Sequence, residues 1–255
     1  MPEFTWTQTS IENPGGERLA ACILSAPLDR KGWVVVCHGF TGSKEGGGKS
    51  MHMAETLAAQ TGYSFVLFDF AGNGESDGHF QDTTLTGQIQ DLSAVIDWCI
   101  QHQDLQVVTM GRSFGGSTVL AQAAGDTRVR AVCTWAAPVH LEELFSGFVI
   151  SDKEDEQGRI LLADAEGTLP IKKAFMHDLQ GHDLLQAAAF LTPRPLLVIH
   201  GENDDVVPVH EAEELYAAAQ DPKEKRIIPG ADHQFSASSE QVWTIVSQWL
   251  TTLPG

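Results

Sequence analysis

The sequence has no apolar run long enough to cross a membrane. Its 255 residues contain no uncharged apolar stretch approaching the roughly 18–20 residues that a transmembrane helix needs. The first residues, MPEFTWTQTS, have neither the basic start nor the apolar centre of a signal peptide. We therefore expect a cytoplasmic protein that does not use a membrane.

Basic residues are also scarce. Lys and Arg together number 16 against 34 Asp and Glu, which gives a formal net charge of −18. A surface of that sign repels the phosphates of nucleic acids and anionic lipid headgroups. The composition therefore excludes nucleic acid and membrane as expected partners. It favours a small-molecule partner and is compatible with either a monomer or a homodimer.

Cysteine is nearly as scarce, and the four cysteines show no CxxC spacing. Each of them lies in an apolar stretch, at Cys22, Cys37, Cys99 and Cys133. That pattern indicates reduced thiols in a core rather than disulfides or a zinc site. The His-Asp pairs within 177–183 fit a polar helix face equally well. We therefore predict neither a metal ion nor a cofactor.

Short apolar runs alternate with segments of helical periodicity along most of the chain. The apolar runs are 33–37, 64–68, 107–110, 129–135, 196–200 and 226–228. The helical segments are 51–60, 86–101, 114–124, 209–220 and 240–250. Near the start, 4–9 and 19–24 flank the turn sequence NPGG, which predicts an antiparallel hairpin. Together these patterns predict an α/β fold, with a mostly parallel central sheet covered by helices on both faces.

One region interrupts this alternation. Residues 139–192 show no clear strand, a charged tract at 152–156 and two or three helical fragments. Long insertions in a compact domain are usually functional, and α/β folds place ligands at the carboxyl edge of the sheet. We therefore predict a core domain of residues 1–138 and 193–255, with an inserted cap at 139–192.

A catalytic serine is predicted within the segment GRSFGG. This segment directly follows the apolar run VVTM and directly precedes a helix rich in Ala and Leu. The strand, the GxSxG turn and the helix are the context of a nucleophile elbow, in which glycines flank a strained serine. The sequence therefore predicts Ser113 as a nucleophile.

A serine nucleophile needs a base and an acid that orients the base. In folds with this elbow, the acid and then the histidine follow the serine along the chain, each on a loop after a later strand. The segment GENDDVVP follows the run LLVIH and offers Asp204 and Asp205. The segment PGADHQF follows the last apolar run and offers His233 as the base.

The segment HGFTG follows the strand at 33–37 and completes the predicted site. The tetrahedral intermediate of acyl transfer develops a negatively charged oxygen that needs two backbone N–H donors. We expect these donors to be the amides of Phe40, in this segment, and of Phe114, next to the nucleophile.

A different class of site is suggested by SKEGGGKS at 43–50, which is one residue short of a phosphate-binding GxxxxGK[ST] loop. Serine replaces its first glycine, and the preceding strand ends several residues too early for such a loop. Nucleotide hydrolysis is therefore the least favoured alternative.

The segments HGFTGSKEG, DFAGNGESDGHF, GRSFGG, HGENDDVVP and GADHQFS together resemble the α/β-hydrolase superfamily. Within it, the chain is similar to bacterial feruloyl (cinnamoyl) esterase-like serine hydrolases. The resemblance implies a Ser113–Asp204–His233 triad, with Asp204 as the acid because it lies four residues after His200. It also implies that no cofactor takes part.

The function expected from these features is hydrolysis of small to medium carboxylic esters, with aryl or hydroxycinnamoyl esters among them. Phe145, Phe148, Phe175 and Met176 are the predicted apolar contacts of the substrate within the cap. That region has no tyrosine, although feruloyl esterases often use one there. A serine aminopeptidase or amidase, a thioesterase and a non-catalytic binding protein of the same fold remain alternatives.

Overall fold

The computed structural model describes residues 4–26, 31–102, 106–164 and 167–253. An eight-stranded sheet lies at its centre. Its strands are β1 (Trp6–Glu12), β2 (Arg18–Leu24), β3 (Trp33–Cys37), β4 (Ser64–Phe68), β5 (Val107–Arg112), β6 (Val129–Trp135), β10 (Leu196–Gly201) and β11 (Lys223–Ile228). Their order is β1-β2-β4-β3-β5-β6-β10-β11.

The sheet is antiparallel only at its β1 edge. The predicted hairpin of β1 and β2 is antiparallel, and so is the pairing of β2 with β4. All pairings from β4 across to β11 are parallel. The carboxyl ends of β3, β5, β10 and β11 therefore lie at one edge of the sheet, which is where ligands bind in α/β folds.

Five helices cover the two faces of the sheet: α1 (Lys49–Thr61), α2 (Leu85–His102), α3 (Phe114–Gly125), α7 (Val209–Ala218) and α8 (Ser239–Thr252). Helices α1 and α8 pack on one face, whereas α2, α3 and α7 pack on the other. The predicted α/β fold, with a mostly parallel sheet between two helical layers, is confirmed.

The inner strands are apolar because both of their faces are covered. Every residue of β4, the segment SFVLF, is buried. Burial of each large apolar side chain stabilises the fold by about 1.5–3 kcal/mol. The four cysteines are free and buried, as predicted. Among the described residues, no helix is long and apolar enough to cross a membrane.

The region between β6 and β10 contains strands as well as helices. Its elements are α4 (Leu141–Phe148), β7 (Val149–Ser151), β8 (Arg159–Asp164), β9 (Gly167–Lys172), α5 (Ala174–Leu179) and α6 (Leu184–Ala189). Strands β7, β8 and β9 form a separate antiparallel sheet. The expectation of no strand here was therefore wrong. The apolar run at 160–163 is only four residues long and is buried on one face alone, so it differs from the longer buried strands of the core. The role of this region as a cap stays a prediction.

A buried carboxylate anchors the start of this region to the core. Glu211, in the first turn of α7, accepts hydrogen bonds from the backbone amides of Val139 at 2.6 Å and His140 at 3.1 Å. The side chain of His140 also contacts Glu214 on the same helix at 2.6 Å. The first residues of the insertion are therefore fixed to α7.

Candidate active site

The turn between β5 and α3 holds Ser113 in a backbone conformation that L-residues rarely adopt. Its φ is 53° and its ψ is −128°. The Ser113 amide donates to the Trp135 carbonyl at 2.8 Å, and the Gly116 amide donates to the Ser113 carbonyl at 2.8 Å. Such strain persists only where the surroundings enforce it, and it is concentrated at functional sites. The structure therefore places Ser113 in the predicted elbow.

The glycines of this turn are required by close backbone contacts. A Cβ at Gly111 would lie 2.1 Å from the Gly115 carbonyl oxygen. A Cβ at Gly115 would lie 2.3 Å from the His38 carbonyl oxygen and 2.6 Å from that of Cys37. The elbow is therefore packed directly against the end of β3, where only a residue without a side chain fits.

This packing leads to a test with two glycines of the same helix. Gly115→Ala should destabilise the protein by about 3 kcal/mol, the upper end for overpacking, because the opposing atoms belong to the backbone. Gly125→Ala is the matched control, since nothing lies within 4 Å of a Cβ there. The control substitution should leave the free energy of unfolding unchanged or raise it by about 0.4–1 kcal/mol. Thermal denaturation measures both, and equal melting temperatures would contradict the packing argument.

The predicted base and acid contact each other directly. Nδ1 of His233 donates a hydrogen bond to Oδ2 of Asp204 at 2.8 Å. Both side chains are nearly inaccessible, with exposed fractions of 8% and 0%. Because Nδ1 carries the proton in this contact, Nε2 of a neutral His233 can accept one. Asp205 is exposed, so the geometry agrees with Asp204 as the acid.

Asp204 is held as a carboxylate by several donors. Its Oδ1 accepts the amides of Val206 at 2.9 Å and Val207 at 2.8 Å. Burial alone would raise the pKa of Asp204, but hydrogen bonds from His200, His233 and the Val207 amide hold that pKa well below its ordinary value. The acid therefore stays ionised at neutral pH and can stabilise an imidazolium at His233.

His200 contacts the candidate acid from the end of the neighbouring strand. Its Nε2 donates to the Val207 carbonyl at 2.8 Å and lies 3.3 Å from Oδ2 of Asp204. The side chain is buried at the end of β10. The signal for this contact was the four-residue spacing between His200 and Asp204, which brings both side chains to one turn.

The two predicted oxyanion donors are available. Phe114 is the first residue of α3, so its amide has no partner within the helix. In the described part of the chain, neither the Phe40 amide nor the Phe114 amide donates a hydrogen bond to a protein acceptor. The rings of the two residues are in contact, with centroids 5.6 Å apart. Their arrangement is compatible with a shared oxyanion site.

The side chains expected to bind substrate pack around Phe40. The Phe145 and Phe175 rings lie 4.8 Å and 5.4 Å from the Phe40 ring, and both side chains are buried. Phe148 and Met176 are half-buried at the edge of this cluster. Phe145 and Phe175 therefore support the Phe40 loop, and substrate contact by these four residues stays a prediction.

A strained serine between a strand and a helix, followed along the chain by an acid and a histidine in contact, is typical of the α/β-hydrolase fold. The chain belongs to the family described as X-Pro dipeptidyl-peptidase (S15 family), which matches residues 37–188. The predicted membership of the α/β-hydrolase superfamily is therefore confirmed.

Solved structures with the same fold include esterases. The esterase domain of a Rhodothermus marinus protein is 27% identical, with a TM-score of 0.77 over 97% of this chain and 98% of that domain. Est1E from Butyrivibrio proteoclasticus, solved with ferulic acid bound, has a TM-score of 0.84 at 22% identity. That match covers 96% of this chain and 98% of Est1E. The second similarity shows the fold alone.

Curated relatives differ in how much of their length they share with this chain. A monoacylglycerol lipase from Mycolicibacterium smegmatis is 26% identical over 99% of both chains. Two other relatives are 29% identical to this chain and match 67% of it. This chain spans only about half, 54%, of the length of those relatives.

Proposed function

We propose that this protein is a serine carboxylesterase that hydrolyses small to medium carboxylic esters without a cofactor. The observation that carries the proposal is the 2.8 Å hydrogen bond between His233 and the buried Asp204, on loops that follow the strained Ser113 in chain order. A serine with only a structural role in the turn would not require a histidine that is hydrogen-bonded to a buried carboxylate at the same edge of the sheet.

In the proposed reaction, Nε2 of His233 accepts the Ser113 hydroxyl proton as Oγ attacks the ester carbonyl. The amides of Phe40 and Phe114 donate to the oxygen that becomes negatively charged. The imidazolium returns the proton to the departing alcohol, and an acyl-enzyme forms on Ser113. Water then attacks this acyl group by the same route, which releases the acid and restores the serine.

Ester hydrolysis is supported by the relatives that match the whole chain. One is named a monoacylglycerol lipase, and another is an esterase domain. The half-buried aromatic surface around Phe40 supports an acyl or aryl ester of modest size rather than a charged polymer. We therefore extend the proposal to aryl esters, with hydroxycinnamoyl esters among the compounds to be compared.

Peptide or amide hydrolysis is the second candidate because of the family match. The matching family is described by its X-Pro dipeptidyl-peptidase activity, and the same triad can cleave an amide. A thioester would pass through the same acyl-enzyme. The same three residues, Ser113, His233 and Asp204, could act in all three reactions, so the leaving group has to be identified by substrate comparison.

The first experiment is the initial rate of hydrolysis of p-nitrophenyl butyrate by the wild-type protein and by Ser113→Ala. We expect turnover by the wild type and none above background by the variant. A panel of methyl ferulate, an alanyl-prolyl anilide and a butyryl thioester then ranks the substrate classes by kcat/KM. Anilide cleavage with no ester turnover would replace the esterase proposal with the peptidase alternative. Equal rates in the variant and the wild type would remove Ser113 from the mechanism.

A further inference from the structure

A cavity of about 210 Å³ lies between the central sheet and helices α1 and α8, beside the candidate triad. Its volume is below the roughly 300–1,000 Å³ of sites for drug-sized ligands, so it fits only a small group. Much of its wall is apolar and comes from six side chains: Val36, Met53, Met110, Trp135, Val242 and Trp243. This cavity is separate from the aromatic cluster around Phe40.

The polar wall of the cavity is formed by neighbours of the catalytic residues. Gly39 precedes Phe40, Arg112 precedes Ser113 and Gln234 follows His233, and all three line the cavity. A Cβ at Gly39 would lie 3.3 Å from Cβ of Ser113 and 3.8 Å from Nη2 of Arg112. Nη2 of Arg112 is therefore at most about 7 Å from Cβ of Ser113.

Arg112 is a cation that forms no direct ion pair in the described part of the chain, although the charge of Asp204 is near enough to act on it. Among the described residues, no carboxylate lies within ion-pair distance of it, and Nη1 donates to the neutral amide oxygen of Gln234. Acidic residues outnumber basic ones 34 to 16 in this chain, so the missing partner is not explained by a shortage of carboxylates. Four other arginines pair with acids: Arg18, Arg128, Arg159 and Arg226.

The other cations at this cavity are less suited to bind a ligand. Lys44 is buried and already paired with Asp69 and Glu75. Lys49 is exposed at the start of α1, where water weakens its attraction for an anion. A guanidinium is planar and always protonated, and it can donate two parallel hydrogen bonds to a carboxylate. Arg112 therefore offers the cavity a strong contact for an anion, in a wall that is otherwise largely apolar.

We propose that this cavity binds a carboxylate at the end of a short apolar chain of the substrate, and that Arg112 is the residue that selects it. The inference rests on the proposed ester hydrolysis and narrows it to esters that carry a free carboxylate, such as half-esters of dicarboxylic acids. The entering carboxylate takes the place of the Gln234 amide oxygen on Arg112. This exchange is favourable because a bond between two charged groups is stronger than one to a neutral amide.

A binding measurement tests the inference without requiring catalysis. In the Ser113→Ala background, hexanoate and hexanamide are titrated by calorimetry. Tryptophan fluorescence provides a second signal, because Trp135 and Trp243 line the cavity. We expect hexanoate to bind about tenfold more tightly or better, which is the range for a hydrogen bond to a charged group. Equal affinity for the acid and the amide would overturn the proposal.

Four further substitutions in the same background test whether Arg112 causes the preference. Arg112→Gln should abolish the preference for hexanoate, and Arg112→Lys should retain part of it. Arg130→Gln is the matched control, because it removes the same charge from an exposed position and should leave the preference unchanged. Gln234→Ala should maintain or strengthen hexanoate binding. An unchanged preference in Arg112→Gln would overturn the proposal.

The rates of hydrolysis of two esters distinguish a failure of the carboxylate site from a failure of the proposed esterase activity. The wild-type protein is assayed with p-nitrophenyl hexanoate and with the mono-p-nitrophenyl ester of adipic acid, which differ mainly in the terminal carboxylate. We expect kcat/KM to be about tenfold higher for the half-ester. Hydrolysis of both esters at equal rates would overturn the carboxylate site and leave the esterase proposal intact. No hydrolysis of either ester would overturn the esterase proposal, whereas the binding preference would still support the site.

Discussion

Asp204→Asn is expected to lower kcat for an activated ester by about 10⁴-fold, the loss seen when the acid of a serine triad becomes an amide. Asp204 accepts the Nδ1 proton of His233 at 2.8 Å and thereby leaves Nε2 free to act as the base. An asparagine at this position can donate to Nδ1 through its amide group. The proton of the imidazole then moves to Nε2, which can no longer accept the proton of Ser113.

The adjacent aspartate provides the control for this prediction. Asp205→Asn makes the same chemical change one residue away, on an exposed side chain, and should leave kcat within about twofold of the wild type because surface changes have small effects. Both variants are assayed with p-nitrophenyl butyrate below their melting temperatures. A loss in Asp205→Asn equal to that in Asp204→Asn would contradict the assignment of the acid.

The elements that form the elbow could be predicted because their pattern is local. An apolar strand, a GxSxGG turn and an Ala-rich helix follow one another within 107–125, and the packing of Gly111 and Gly115 explains why glycine stands there. Asp204 and His233 were predicted as acid and base from chain order and from the family resemblance, and the structure brings the two side chains into contact. The contact between His200 and Asp204 was missed because a buried histidine at a strand end is also typical of simple packing.

The parts that escaped prediction depend on contacts between distant segments. Strands β7, β8 and β9 are short and partly exposed, and Pro170 lies within β9. The single four-residue apolar run at 160–163 was therefore not recognised as part of a sheet. The cavity at Arg112 is formed by residues from β3, α1, β5, β6 and α8. No spacing along the sequence shows that these elements leave a cavity between them, or that Arg112 forms no direct ion pair with any described carboxylate.

The second large effect concerns the stability of the loops that carry the site. Lys44 lies in the glycine-rich segment after Phe40, and its Nζ is 2.8 Å from Oδ2 of Asp69. The two side chains are 4% and 0% exposed. Asp69 also accepts the amides of Lys44 at 2.6 Å and Glu75 at 3.0 Å. The ion pair therefore connects the loop after β3 to the loop after β4.

Lys44→Met should destabilise the protein by about 3 kcal/mol, because it leaves the Asp69 carboxylate buried without its counter-ion. We place the effect at the lower end of the usual range because the two backbone amides remain as donors. For a domain of this size, the melting temperature should fall by about 6–12 °C. Lys49→Met, which removes an exposed lysine five residues away, should change the unfolding free energy by less than about 0.5 kcal/mol.

The pH range and a second substitution make this prediction specific to the ion pair. Burial alone would lower the pKa of Lys44, but Asp69 and Glu75 raise it above its ordinary value. The stabilisation by the charged lysine is therefore fully present below about pH 10.4, the ordinary lysine pKa, and is lost as the pH rises further. Adding Asp69→Asn to Lys44→Met should recover part of the lost stability, because no unpaired charge is then buried. The ion pair does not stabilise these loops if Lys44→Met and Lys49→Met have the same melting temperature. The same conclusion follows if the destabilisation by Asp69→Asn is fully additive to that by Lys44→Met.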